Sequence, residues 1–154
     1  MANLPGMGNP PTIAAQQSAL VARLLHYCDL AVDGLSAEQI SDTRGGLTYS
    51  LGFDVWHVIR TVDNIIHFVF EREQPTWLTG AFHEAWDLPR VDQGTGMDPD
   101  DAYSLRFPGP DEFKRYSAAV GQSVVPRIAA MSEDYLSEVM TIRPWGEVPR
   151  MEAI

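Results

Sequence analysis

The chain has 154 residues, 45% of them hydrophobic, which suits one domain with an ordinary core and leaves too little for a second. Its 21 acidic residues against 11 basic ones give a formal net charge of −10 with no basic run to offset it, so nucleic acid is a poor partner, because phosphate recognition needs clustered positive charge. No apolar run reaches the roughly 18 residues of a membrane span, the N-terminus lacks a targeting pattern, and the single Cys28 forms no internal disulfide; a cytoplasmic protein is expected.

Residues 1–11 hold three prolines and two glycines and read as an irregular lead-in to one domain over 12–154. A first helix over about 12–33 follows, with Val21, Leu25, Cys28 and Val32 on one face and Leu20, Leu24, Tyr27 and Ala31 widening it. Gly34 ends it, and Ser36 with Gln39 three residues on has the form of a capping box. The second helix, about 50–73, carries Leu51, Val55, Val58, Val62, Ile65 and Val69 at alternating spacings of four and three. That stripe is expected to be buried against Val21, Leu25, Phe113, Tyr116 and Val120.

From Thr76 to Pro110 the periodicity fails, and a long packed crossover is expected there. Within it Asp98-Pro99 looks like an N-cap and first helical residue, opening a short helix to about Arg106. Pro110-Asp111-Glu112 opens the third helix, about 110–131, with Phe113, Tyr116, Val120, Val124 and Ile128 in one stripe and Pro126 inside it. Ser132 to Met140 reads as a last helical stretch leading into the irregular Arg143-Pro144-Trp145-Gly146. With no strand pattern along the chain, the class is all-α.

Chemistry-bearing residues are few. Of His26, His57, His67 and His83, the pair His57 and His67 stand about 15 Å apart along one helix and on different sides, too far to share an ion. His57 lies about 120° from the centre of the second helix's stripe, at its flank with Thr61 and Asn64. Cys28 falls on the apolar face of the first helix and reads as packing. HxxxH, HExxH and CxxC motifs and strand-linked glycine loops are all missing from the sequence.

The run Leu51-Gly52-Phe53-x-x-Trp56-His57-Val58-Ile59-Arg60-x-x-Asp63 resembles the second-helix signature of the DinB-like superfamily. Trp77, Trp86, Gly94-x-Gly96-Met97 and Tyr116-Ser117-Ala118-Ala119-Val120 follow in the order of one of its branches. The resemblance implies an up-down-down-up four-helix bundle, often a homodimer, with a divalent metal such as zinc or nickel held by three histidines. His57 matches the ligand on the second helix; the other two come in that family from an HxxxH on the fourth. The sequence given reaches Ile154 in what reads as the opening turn of that helix, so the fourth helix is expected to be largely missing from it, the domain C-terminally incomplete, and zinc or nickel bound only where that helix is intact.

Some DinB-like relatives transfer low-molecular-weight thiols to small electrophiles. The first functional reading is accordingly a metal- and thiol-dependent S-transferase in which Arg60 or Asp63 orients ligands or substrate. The alternative is a non-catalytic, stress-related dimeric binding or scaffold protein with a lost or incomplete metal site.

Overall fold

The computed structural model describes residues 11–154, so residues 1–10 of the expected lead-in lie outside the described residues. Three long helices organise the core. Helix α1 runs Ile13–Val32 and starts at Thr12, whose hydroxyl accepts from the Ala15 N–H at 3.1 Å. After the short α2, Ala37–Ile40, opened by the expected Ser36/Gln39 capping box, comes α3, Leu51–Asn64, capped at its start by the buried Ser50. The crossover forms three short helices, α4 (Thr76–Thr79), α5 (Phe82–Trp86) and α6 (Pro99–Ser104), the last opened by Asp98 as expected. Helix α7, Pro110–Ala129, begins with Pro110 and the acidic Asp111 and Glu112, where the helix dipole favours negative charge.

Helix α1 packs chiefly on α7, and α3 packs on both. Val21, Leu25, Cys28 and Val32 from α1 meet Phe113, Tyr116, Val120, Val124 and Ile128 from α7 in one apolar core. At its far end Trp56, Trp77, Trp86, Phe82 and Phe107 form a continuous aromatic cluster, with Trp77 and Trp86 edge to face at 5.4 Å between ring centres. Gly52 makes this end possible: a Cβ there would lie 2.6 Å from the Phe107 ring.

The structure corrects three expectations. The buried face of α3 is centred on Trp56, Ile59 and Asp63, and although Val55 and Ile65 are buried, Val58, Val62 and Val69 are only half-buried. A stripe of spaced valines is therefore the edge of the face, because the apolar positions at 56, 59, 66 and 70 share the helix with it and carry more surface into the core. The second helix also does not stay α-helical to residue 73; Ile65–Phe70 is a π-helical continuation. There the His67 ring donates to the carbonyl of Asp63, the oxygen a regular α-helix offers to the His67 N–H, so side chain and backbone compete for it.

The third correction is a β-hairpin. Helix α8 stops at Ser137, having begun at Glu133, and β1, Val139–Ile142, pairs antiparallel with β2, Gly146–Pro149, with Ile142 opposite Gly146. Strands of four residues around Arg143-Pro144-Trp145 are too short to display alternation in sequence. Among the described residues the other regular elements are helices, the last being α9, Arg150–Ala153.

Ile59→Asp places a charge on a fully buried position and should cost about 3 kcal/mol or more. Val62→Asp, at a half-buried edge, should cost less than half as much by urea unfolding; equal losses would mean that the α3 face is misplaced.

Candidate functional site

The polar residues of α3 point in two directions. Inward, the Asp63 carboxylate is fully buried and accepts from the backbone N–H of Thr76 and of Trp77, each at 2.8 Å, and from the Tyr116 hydroxyl at 2.8 Å. His67, one turn on, adds its Nδ1–H at 2.9 Å. This one carboxylate thus caps α4, reaches α7 and orients His67. Burial alone pushes the Asp63 acid strength down, but His67, the two N–H groups and Tyr116 outweigh it and hold the carboxyl below its ordinary range. The same contact raises His67 above 6.5 against the opposing effect of burial. Tyr116 is pushed well above 10, first by burial and then by the Asp63 charge.

Toward the crossover, His57 and Arg60 grip three consecutive carbonyls. His57 Nδ1–H donates to Gln93 O at 2.5 Å, and Arg60 Nη2 donates to Val91 O at 3.1 Å and to Asp92 O at 3.4 Å. The Arg60 guanidinium is 1% exposed and lies over the Trp77 ring at 5.2 Å. Gly94 permits this docking with φ +96°, since a Cβ there would meet the Phe53 ring at 2.8 Å and His57 Nδ1 at 3.3 Å. With Nδ1–H given to Gln93, Nε2 is the ring nitrogen left for another partner.

That ring borders an apolar groove of about 330 Å³ between α1 and α3. Leu24, Val58, Val62 and Ile128 form its walls, and Trp145 of the hairpin turn and Glu152 of α9 stand at one end. Thr61 lines it too, its hydroxyl donating to the His57 carbonyl at 2.7 Å.

His57 is therefore found at the flank of α3 beside Thr61, as its sequence position suggests, where it borders the apolar groove, with Asn64 on the adjoining surface. Arg60 and Asp63, read from sequence as groups that orient ligands or substrate, are instead engaged with the protein's own backbone and side chains. His26 lies exposed on α1, and His83 sits near the Trp77 carbonyl at 3.3 Å, both away from the groove. Among the described residues no three His, Cys, Asp or Glu side chains converge on a point. The residues present thus fit one ligand position of a metal site without completing it. Cys28 is buried and raised to about 11 by burial and then by Asp29, in keeping with packing.

Gln93, Trp145, Glu152 and Ser123 escaped the sequence reading. Gln93 acts through its backbone carbonyl, which leaves no side-chain signature, and the others reach their partners through tertiary packing. The spacing of Asp63 and His67 by four on one helix was the available signal for their pairing.

No family model matches the chain, and no curated protein matches it. Among solved structures, a crystal structure of a conserved protein of locus from Enterococcus faecalis superposes with a TM-score of 0.72 at 18% identity, over 96% of this chain and 85% of that one. The likeness is one of fold. Among the described residues no helix is long and apolar enough to cross a membrane.

The Asp63–His67 pair sets two limits on stability. Asp63, with its lowered pKa, stabilises the fold above its ordinary 3.8, and that contribution is lost as pH falls through its folded value. His67, with its raised pKa, stabilises below 6.5 and loses that contribution as pH rises through its folded value. Melting temperature should therefore decline on both sides of a mildly acidic optimum. A His67→Gln variant should keep the acid limb and lose the alkaline one attributable to this pair; an unchanged alkaline limb would remove His67 as its cause.

Proposed function

We propose that the chain is a DinB-like protein of the divalent-metal-dependent kind, built on a four-helix-bundle plan, whose groove takes a small apolar electrophile beside His57. The observation that carries this reading is the His57 ring itself. Its Nδ1–H is fixed on the Gln93 carbonyl, the arrangement by which a protein sets the tautomer and direction of a ligating imidazole, and its Nε2 lone pair is free for a metal. The resemblance of the Trp56-His57-x-x-Arg60 segment to the DinB-like signature supports zinc or nickel as the metal and a low-molecular-weight thiol as the co-substrate of an S-transferase. One imidazole is short of the three donors a stable site needs, so further ligands have to come from elsewhere than the described residues.

A second reading, a dimeric scaffold without turnover, is favoured by the apolar side of α1 that continues from the groove wall at Leu24. Leu20, Leu24 and Tyr27 are 59%, 40% and 57% exposed along one side of α1, an apolar surface of the kind that protein contacts cover.

Zinc and nickel titrations of the protein extended through the fourth helix that the DinB-like plan expects, with and without His57→Ala, test the first reading. The variant should bind about tenfold more weakly or worse, since even second-shell losses reach that size, while its helical content and melting temperature stay near wild type. Equal affinity of the two proteins would defeat the metal reading and leave the scaffold.

A further inference from the structure

Away from the groove, the Asp63–His67 pair continues outward. His67 Nε2 lies 2.7 Å from the Ser123 hydroxyl on α7, so carboxylate, imidazole and serine form one hydrogen-bonded chain: Asp63 Oδ1 to Nδ1 at 2.9 Å, then Nε2 to Oγ at 2.7 Å. Asp63 and His67 are buried, whereas Ser123 is half-buried. This is the role geometry of a serine nucleophile, a base and the carboxylate that fixes the base's tautomer. The second nitrogen of the ring is thus directed at a hydroxyl that is itself only half-buried.

The surroundings suit acyl transfer. Arg127 follows Ser123 by four residues on α7, the spacing that places two side chains on one helical face, and its charge is felt at His67. Glu71 and Glu73 hold its guanidinium in place. Asp63, already accepting from two backbone N–H groups and Tyr116, stays ionised while the imidazole gains and loses a proton.

We propose that Ser123, His67 and Asp63 form a second, nucleophilic site that hydrolyses small carboxylic esters. The Ser123 oxygen bonds to the ester carbonyl carbon as its proton passes to His67 Nε2, and the negative oxygen that results develops on the side of Arg127. The acyl C–O bond then breaks, and the departing alcohol takes the proton from His67. Water gives a proton to the same nitrogen and attacks the acyl-serine, releasing the carboxylic acid and restoring the serine. Because the N–H groups around Ser123 are committed to the helix, only the Arg127 side chain stabilises the oxyanion, and slow turnover is expected.

Labelling by an alkyl fluorophosphonate, mapped by peptide mass, together with p-nitrophenyl acetate hydrolysis, tests the site. Wild type should be phosphonylated at Ser123, with a rate that rises with pH through a midpoint above 6.5, the alkaline displacement expected of His67. Ser123→Ala should lose the label, and His67→Gln should slow it about a hundredfold. Should His67→Gln fail to fold, Ser123→Cys replaces it: its thiol should react with iodoacetamide far faster than the buried Cys28 and faster than cysteine in an unfolded peptide. Absence of label at Ser123 in wild type, undiminished labelling in folded His67→Gln, or a Ser123→Cys thiol no faster than the peptide would overturn the proposal.

Discussion

A single buried carboxylate ties this fold together. Asp63 stands in the last turn of α3 and receives four donors from three parts of the chain: the first turn of α4, Tyr116 of α7 and His67 of the π-helical continuation. A buried charge persists only when its hydrogen-bonding capacity is filled, so removing any of these partners raises the cost of keeping it inside. Asp63 therefore constrains where the crossover begins, how far α7 stands from α3 and which way the His67 ring faces. The surrounding aromatic cluster of Trp56, Trp77 and Tyr116 keeps water from competing for the carboxylate.

His57 inherits its position from this arrangement. With Thr76 and Trp77 fixed on Asp63, and Arg60 lying over Trp77, the return of the crossover at Val91 to Gln93 is held against the outer side of α3. The imidazole then meets a carbonyl on one side and the groove on the other. The polar residues of this stretch are thus divided: Arg60, Asp63 and His67 are tied to other parts of the fold, while the His57 ring borders the groove.

Much of the scaffold was legible because it depends on local rules. The caps at Ser36 and Asp98, the start of α7 at Pro110 and the α1 face of Val21, Leu25, Cys28 and Val32 follow from turn chemistry and helical period, and each is found where the sequence puts it. The face of α3 was harder, since the helix is apolar over more than half its circumference and periodicity alone does not tell core from edge. The hairpin at 139–149 escaped because its strands are short, and the π-helical turn because it arises from a side chain competing for its own helix's carbonyl. At the site, His57 was legible through the Trp-His-x-x-Arg segment, but its partner is a backbone oxygen 36 residues away, which no side-chain pattern announces.

The most direct test is the protonation pattern of the His57 ring. A long-range 1H–15N correlation spectrum of the protein at alkaline pH, with His57 assigned by its absence in His57→Ala, reports which ring nitrogen carries the proton. The Gln93 contact predicts a neutral ring protonated at Nδ1, with Nε2 showing the shift of a bare lone pair. A ring protonated at Nε2, or one averaging between the two forms, would contradict the docking of the crossover on α3 and with it the presentation of His57 to the groove.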